Sequence, residues 1–122
     1  MLTVGSVVIR CSDLARQVLF WSAALDYEPR LPLDEGFALL RPRTGQGPNV
    51  SLDAVPSERV LPPRIHLDLY ADDQAAEVAR LEELGALQVH WPRRPDDADS
   101  VIMEDPEGNR FCVVDASPGA AA

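Results

Sequence analysis

The sequence predicts an α+β fold made of two tandem βαβββ modules. Three observations lead there. A strand-then-helix pattern occurs twice, over residues 3–25 and 64–85. A shift of 60 residues lays one occurrence on the other, with an aspartate at the helix start in both. Each occurrence is followed by short strand candidates separated by turn-rich stretches.

Residues 3–11, TVGSVVIRC, are rich in β-branched side chains and read as a strand. Asp13 then offers an N-cap, and Leu14, Val18, Trp21 and Leu25 form one helical stripe that Pro29 must end. By the same periodicity Phe20 and Trp21 belong to the core. YEPRL (27–31) is a further strand candidate, and GFALLRP (36–42) and NVSLDAV (49–55) are strands on either side of the turn-rich RTGQGP. This completes a first module over about residues 1–56.

The proline-rich PSERVLPP (56–63) reads as a linker, after which the grammar restarts. RIHLDLYA (64–71) is a strand, followed by a helix capped by Asp72 or Asp73 and ended at Gly85, and then by the strand ALQVHW (86–91). Two more strands flank DPEGN, which suits a tight hairpin connection. The second module covers about residues 63–116. The two modules are expected to make one domain over residues 1–116, with residues 117–122 a fraying tail. The 60-residue shift places Ser6 on His66, Ile9 on Leu69, Asp13 on Asp73 and Val18 on Val78, so what repeats is the strand-to-helix transition rather than residue identity.

The chain has 122 residues, enough to bury a core without disulfides or structural metal. Eleven basic against twenty acidic residues give a formal net charge of -9, which disfavours nucleic acid and anionic membrane surfaces. No run approaches a membrane span, and MLTVGSVVIRC lacks the features of a signal peptide, so a cytoplasmic location is expected. In a reducing compartment Cys11 and Cys112, both inside apolar runs, are expected as free thiols.

VVIRCSDLARQVLFWSAALDYEP, RIHLDLYADD and DPEGNRFCVV resemble the first opening, second opening and closing hairpin of the vicinal oxygen chelate superfamily, the glyoxalase, bleomycin-resistance and extradiol dioxygenase group. The resemblance spans nearly the whole chain. It implies curved sheets that enclose a cleft, a homodimer, and a small organic molecule as partner. It also implies four cleft positions that hold a divalent metal in metal-dependent members. Those positions fall on Ser6, on Ser51 or Asp53, on His66 and on Cys112. Serine for histidine and cysteine for glutamate leave His66 as the one retained family ligand, so the expectation is no complete metal site. The activity implied is therefore sequestration of a small molecule or metal-free catalysis. The alternative is a metal-dependent lyase, isomerase or dioxygenase.

Strand alternation puts His66, Asp68 and Tyr70 on one face and Ile65, Leu67 and Leu69 on the other, toward the helices. Asn49, Ser51 and Asp53 likewise separate from Val50, Leu52 and Ala54. His66 is the catalytic candidate. It can act as a metal ligand with companions such as His90 and Asp53, as an acid/base oriented by Asp53 or Glu104, or as a hydrogen-bonding or packing residue. Asp68 can orient His66 or pair with Arg64 or Arg10. Cys112 can pack or act as a nucleophile, and Trp91, in a loop before PRRP, can line a cleft mouth. The acidic DDADS (96–100) reads as a solvated loop.

Overall fold

The computed structural model describes residues 1–118 and divides into two compact units, Met1–Glu58 and Arg59–Ala122. The first contains β1 (Ser6–Arg10), α1 (Leu14–Leu25), β2 (Tyr27–Pro29), β3 (Phe37–Pro42) and β4 (Asn49–Asp53). The second contains β5 (Leu67–Ala71), α2 (Gln74–Leu84), β6 (Leu87–Gln88), β7 (Ser100–Glu104) and β8 (Arg110–Asp115). Each unit is thus a βαβββ module with one helix and one four-stranded sheet, and the fold is α+β.

The strand orders are β1-β4-β3-β2 and β5-β8-β7-β6. In both, the first and last strands of the module lie side by side and parallel, while the other neighbours are antiparallel. Any polar group placed on the first strand is thereby brought beside one on the last.

Both helices start on the aspartates that the repeat aligned. The Asp13 carboxylate accepts the Arg16 N–H at 3.1 Å, and the Asp73 carboxylate accepts the Ala76 N–H at 3.1 Å, each satisfying a backbone donor that has no partner inside its helix. Gly85 ends α2 at φ 115°, where a residue without Cβ is favoured. The end of α1 differs from expectation. The helix stops at Leu25, and Asp26 takes the left-handed conformation (φ 55°) with its N–H bonded to the Ser22 carbonyl, so Pro29 closes β2 instead.

Register settles which side of each sheet the helix covers. Val7 and Ile9 oppose Val50 and Leu52, which in turn oppose Leu40 and Ala38, and α1 packs on this sheet with Phe20 and Trp21 buried beneath it. The two rings meet edge to face, centroids 5.1 Å apart, a preferred aromatic geometry. In the second unit Val78 and Leu81 of α2 are buried together with Phe111, Val113 and Met103. Removing each such side chain from water is worth about 1.5–3 kcal/mol, so each seam holds the helix of its module onto that module's own sheet.

Two strands are shorter than their sequence predicts. The run expected as a strand over 86–91 pairs only at Leu87 and Gln88, with Val89 N–H still reaching the Ile102 carbonyl at 2.8 Å. Beyond it the chain leaves the sheet, because Pro92 has no N–H to give and constrains Trp91 before it. β5 begins at Leu67, so Arg64, Ile65 and His66 precede the strand, and Ile65, expected under the helix, is 86% exposed. Pro62 and Pro63 just upstream likewise contribute no donors. Residues 119–122 of the expected tail lie outside the described residues.

Candidate functional site

The helix-free face of each sheet carries the polar residues. In the second unit Asp68 lies opposite Cys112, and Cys112 opposite Ile102, with Tyr70, Val114 and Ser100 forming the next row. His66, at the mouth of β5, turns its Nε2 to within 3.0 Å of Asp68 Oδ1. Of the two partners open to Asp68, His66 is the one it meets, and this contact orients the imidazole. One ligand atom each from His66, Asp68 and Cys112 lies within 4.8 Å of the others. Tyr70 is 78% exposed on the same side of β5. The face therefore offers an imidazole, a carboxylate, a thiol and a phenol beside the apolar Ile102 and Val114.

Both cysteines are free, Cys11 buried and Cys112 half-buried. Burial pushes the Cys112 thiol up from its ordinary pKa, and the negative charge and hydrogen bond of Asp68 push in the same direction. A thiol held protonated at neutral pH is a poor nucleophile, so packing is the better account of Cys112 than covalent catalysis.

The first unit repeats the layout with different chemistry. Ser51, 3% exposed, bonds through its hydroxyl to that of Ser6 at 2.5 Å. Val8 lies opposite Ser51 as Asp68 lies opposite Cys112. Ser51 is the residue brought to Ser6, whereas Asp53 sits further along β4, opposite Arg10 and Phe37.

Glu104 does not serve as an orienting group for the imidazole. Its carboxylate is held by the Arg59 guanidinium, which also donates to the Gly108 carbonyl at 2.9 Å. Trp91 lies half-buried in the loop after β6, its carbonyl accepting the Arg94 N–H at 3.2 Å. His90, beyond the end of β6, is exposed. Among the described residues, neither His90 nor Asp53 joins the His66 group. The acidic residues Asp96, Asp97 and Asp99 are exposed, as a solvated loop requires.

The aspartate of the expected DPEGN hairpin connection is Asp105, and the set of donors it accepts from was not foreseen. This buried carboxylate accepts the Glu107 N–H, the Asn109 N–H and the Asn109 side-chain amide, each at 2.9 Å. It is the turn between β7 and β8, with Gly108 at φ 86°. The signal was present in the Asp and Asn that bracket Pro-Glu-Gly, because both side chains bond readily to nearby backbone.

The glyoxalase-like domain family matches residues 6–114, and the chain belongs to that family. Solved structures carry the same fold at low identity. A glyoxalase/bleomycin resistance protein/dioxygenase family enzyme from Burkholderia phytofirmans PsJN is 14% identical, with 93% of this chain and 98% of that chain covered at a TM-score of 0.70. A member of the same superfamily from Sphaerobacter thermophilus DSM 20745 is 21% identical, covering 94% and 98% at 0.66. TnmS3, an antibiotic binding protein from Streptomyces sp. CB03234, is 22% identical, covering 96% and 98% at 0.66. No curated protein matches. No helix among the described residues is long and apolar enough to cross a membrane.

Of the four positions that the family resemblance assigns to metal ligands, two are here the hydroxyls of Ser6 and Ser51. They are neutral and bonded to each other. Transition-metal centres take imidazole, thiolate or carboxylate donors, so this pair does not fit a four-ligand centre of the family type.

Proposed function

We propose that this protein binds a small organic molecule on the helix-free face of the second module, without the four-ligand metal centre of metal-dependent relatives. The observation that carries the reading is the composition of that face. His66 and Asp68 are hydrogen-bonded at 3.0 Å beside the exposed Tyr70 ring and the apolar Ile102 and Val114. Small-molecule sites combine apolar and aromatic surface with a few placed polar groups, and this face has that mixture. The name of TnmS3, an antibiotic binding protein with the same fold, is consistent with binding by sequestration.

In this reading His66 donates or accepts a hydrogen bond to the bound molecule, Asp68 fixes its ring, and Tyr70 stacks on an unsaturated portion. Trp91 supplies a further contact, and the protein works as a cytoplasmic homodimer. The test is a thermal-shift and calorimetric screen of aromatic natural-product antibiotics against wild type, His66→Ala and Tyr70→Ala. The expected result is saturable binding without product, weakened at least about tenfold, or about 1.4 kcal/mol, in each variant. Turnover of the bound compound would move the assignment to catalysis, and equal affinity in all three proteins would remove this face from the site. A monomeric mass in sedimentation at micromolar concentration would overturn the dimer.

A further inference from the structure

We infer that the small molecule is an organic acid and that Arg110 receives its carboxylate, an inference that rests on the small-molecule reading just given. Arg110 is the first residue of β8. Phe111 and Val113 are buried beneath α2, so alternation puts Arg110 on the helix-free side with Cys112 and Val114. Across the sheet Arg110 lies opposite Glu104, and Glu104 lies opposite Leu87, which is 68% exposed. This row borders the face at its hairpin end, one row away from Asp68 and Cys112.

What sets Arg110 apart is that the protein gives it no anion. The carboxylate that register brings beside it, on Glu104, is held by the Arg59 guanidinium, which donates also to the Gly108 carbonyl at 2.9 Å. Among the described residues Arg110 forms no ion pair, and its Nε is buried without a hydrogen-bond acceptor. Arg10, Arg30 and Arg64 also lack a carboxylate partner, but they are exposed and solvated by water instead. Arg110 is half-buried, so the open part of its guanidinium is the terminal edge. A buried N–H without an acceptor is uncommon, and it is more costly on a cation. Poorly solvated along its inner edge, this guanidinium gains more from an anion at its outer edge than a fully hydrated one would.

The donor geometry selects the ligand group. Parallel N–H groups in one plane match the two oxygens of a carboxylate, the bidentate arrangement for which arginine is suited. A single charge is the better fit. One free guanidinium balances one negative charge, whereas a chain with a formal net charge of -9 repels a second. Register also fixes the course of the rest of the molecule. From Arg110 the face continues over Ile102, opposite Cys112, to Val114 and the exposed Tyr70 ring. A carboxylate held at the hairpin end therefore lays an aromatic body along these groups, and the ligand class is an aromatic monocarboxylic acid rather than a neutral or cationic compound.

Isothermal titration with 2-naphthoate, its neutral analogue 2-naphthamide and the doubly charged 2-naphthyl phosphate tests this assignment. Wild type should bind the naphthoate more tightly than the amide by at least about tenfold, or about 1.4 kcal/mol. Arg110→Gln should bring the two affinities together. Arg110→Lys keeps the charge without the planar fork and should retain only part of the preference. Tyr70→Ala should weaken acid and amide alike, because it touches the ring system they share. Circular dichroism of each variant checks that the fold is kept. No saturable binding of the naphthoate, equal binding of acid and amide by wild type, or tighter binding of the phosphate would each overturn the role of Arg110. So would a preference that survives in Arg110→Gln or is undiminished in Arg110→Lys. A face that binds acid and amide equally, and loses both in Tyr70→Ala, would remove Arg110 while leaving the small-molecule reading in place, so the two fail separately.

Discussion

Replacing Asp105 with alanine should be among the most damaging single changes in the second module. The Asp105 carboxylate is 2% exposed as a residue and accepts three hydrogen bonds at 2.9 Å. Bonds to a charged group are worth about 1.5–3 kcal/mol each, but Glu107 and Asn109 are half-buried and recover part of that from water. A net loss of about 2–4 kcal/mol follows, equivalent to a fall in Tm of roughly 8–16 °C at about 4 °C per kcal/mol. Asp105→Asn should be milder. Both backbone donors fall on Oδ1, which an amide can reproduce, whereas the Asn109 amide faces Oδ2 and would meet a second donor. Its expected cost is about 1 kcal/mol. Chemical denaturation of the three proteins at neutral pH measures both numbers. A loss under about 0.5 kcal/mol in Asp105→Ala, or equal losses in the two variants, would refute the view that this carboxylate builds the hairpin through its acceptor geometry.

Gly108→Ala should cost about 1–3 kcal/mol in the same assay: φ 86° is strained for any residue with a Cβ, and the added carbon would lie 2.6 Å from Arg59 Nη1, forcing that side chain off the turn. A compensated double variant with Arg59→Ala should recover the clash but not the backbone strain. Tyr27 donates to the Pro48 carbonyl at 2.8 Å, and burial raises its pKa above the ordinary phenol value. The folded state therefore holds this proton more tightly than the unfolded state does. The contribution is fully present below the unfolded phenol pKa near 10 and is lost as pH rises through the folded one. The chain has no lysine, and the alkaline stability titration is made in a Cys112→Ser background, because that thiol is also pushed up. Tyr27→Phe should lower neutral stability by about 1 kcal/mol and remove part of the decline above about pH 10; an unchanged alkaline limb would refute the assignment.

The parts of this fold that depend on local chemistry were readable from the chain. Asp13 and Asp73 announce helix starts because short carboxylates satisfy the first-turn amides wherever the tertiary structure places them. Alternation alone separated Asp68 from Leu67 and Leu69, and Ser51 from Val50 and Leu52, since side chains on a strand have a fixed period. What depended on pairing partners was not readable. Whether Ser51 or Asp53 meets Ser6 is decided by the β1–β4 register, which spans a separation set by loops rather than by any local signal. The closeness of Cys112 to Asp68 has the same origin. The shortness of β6 reflects Pro92, a breaker visible in the sequence, whose effect reaches back through Trp91 to the strand expected there. The engagement of Glu104 by Arg59, a residue of the expected linker, required the structure.

The parallel pairing of β1 with β4, and of β5 with β8, also dictates a timetable. Neither opening strand can find its sheet partner until the module's last strand exists: Val8 waits for Ser51, and Asp68 for Cys112. At about 5–20 residues per second of synthesis, each opening strand remains unpaired on that flank for roughly 2–9 s, far longer than hairpin formation takes. The antiparallel pairs β3–β4 and β7–β8 involve closer segments and can close first, leaving the long-range parallel pair as the late, entropically expensive step. Each module is in this sense completed from its far end, and the groups that decide its chemistry meet at the final join.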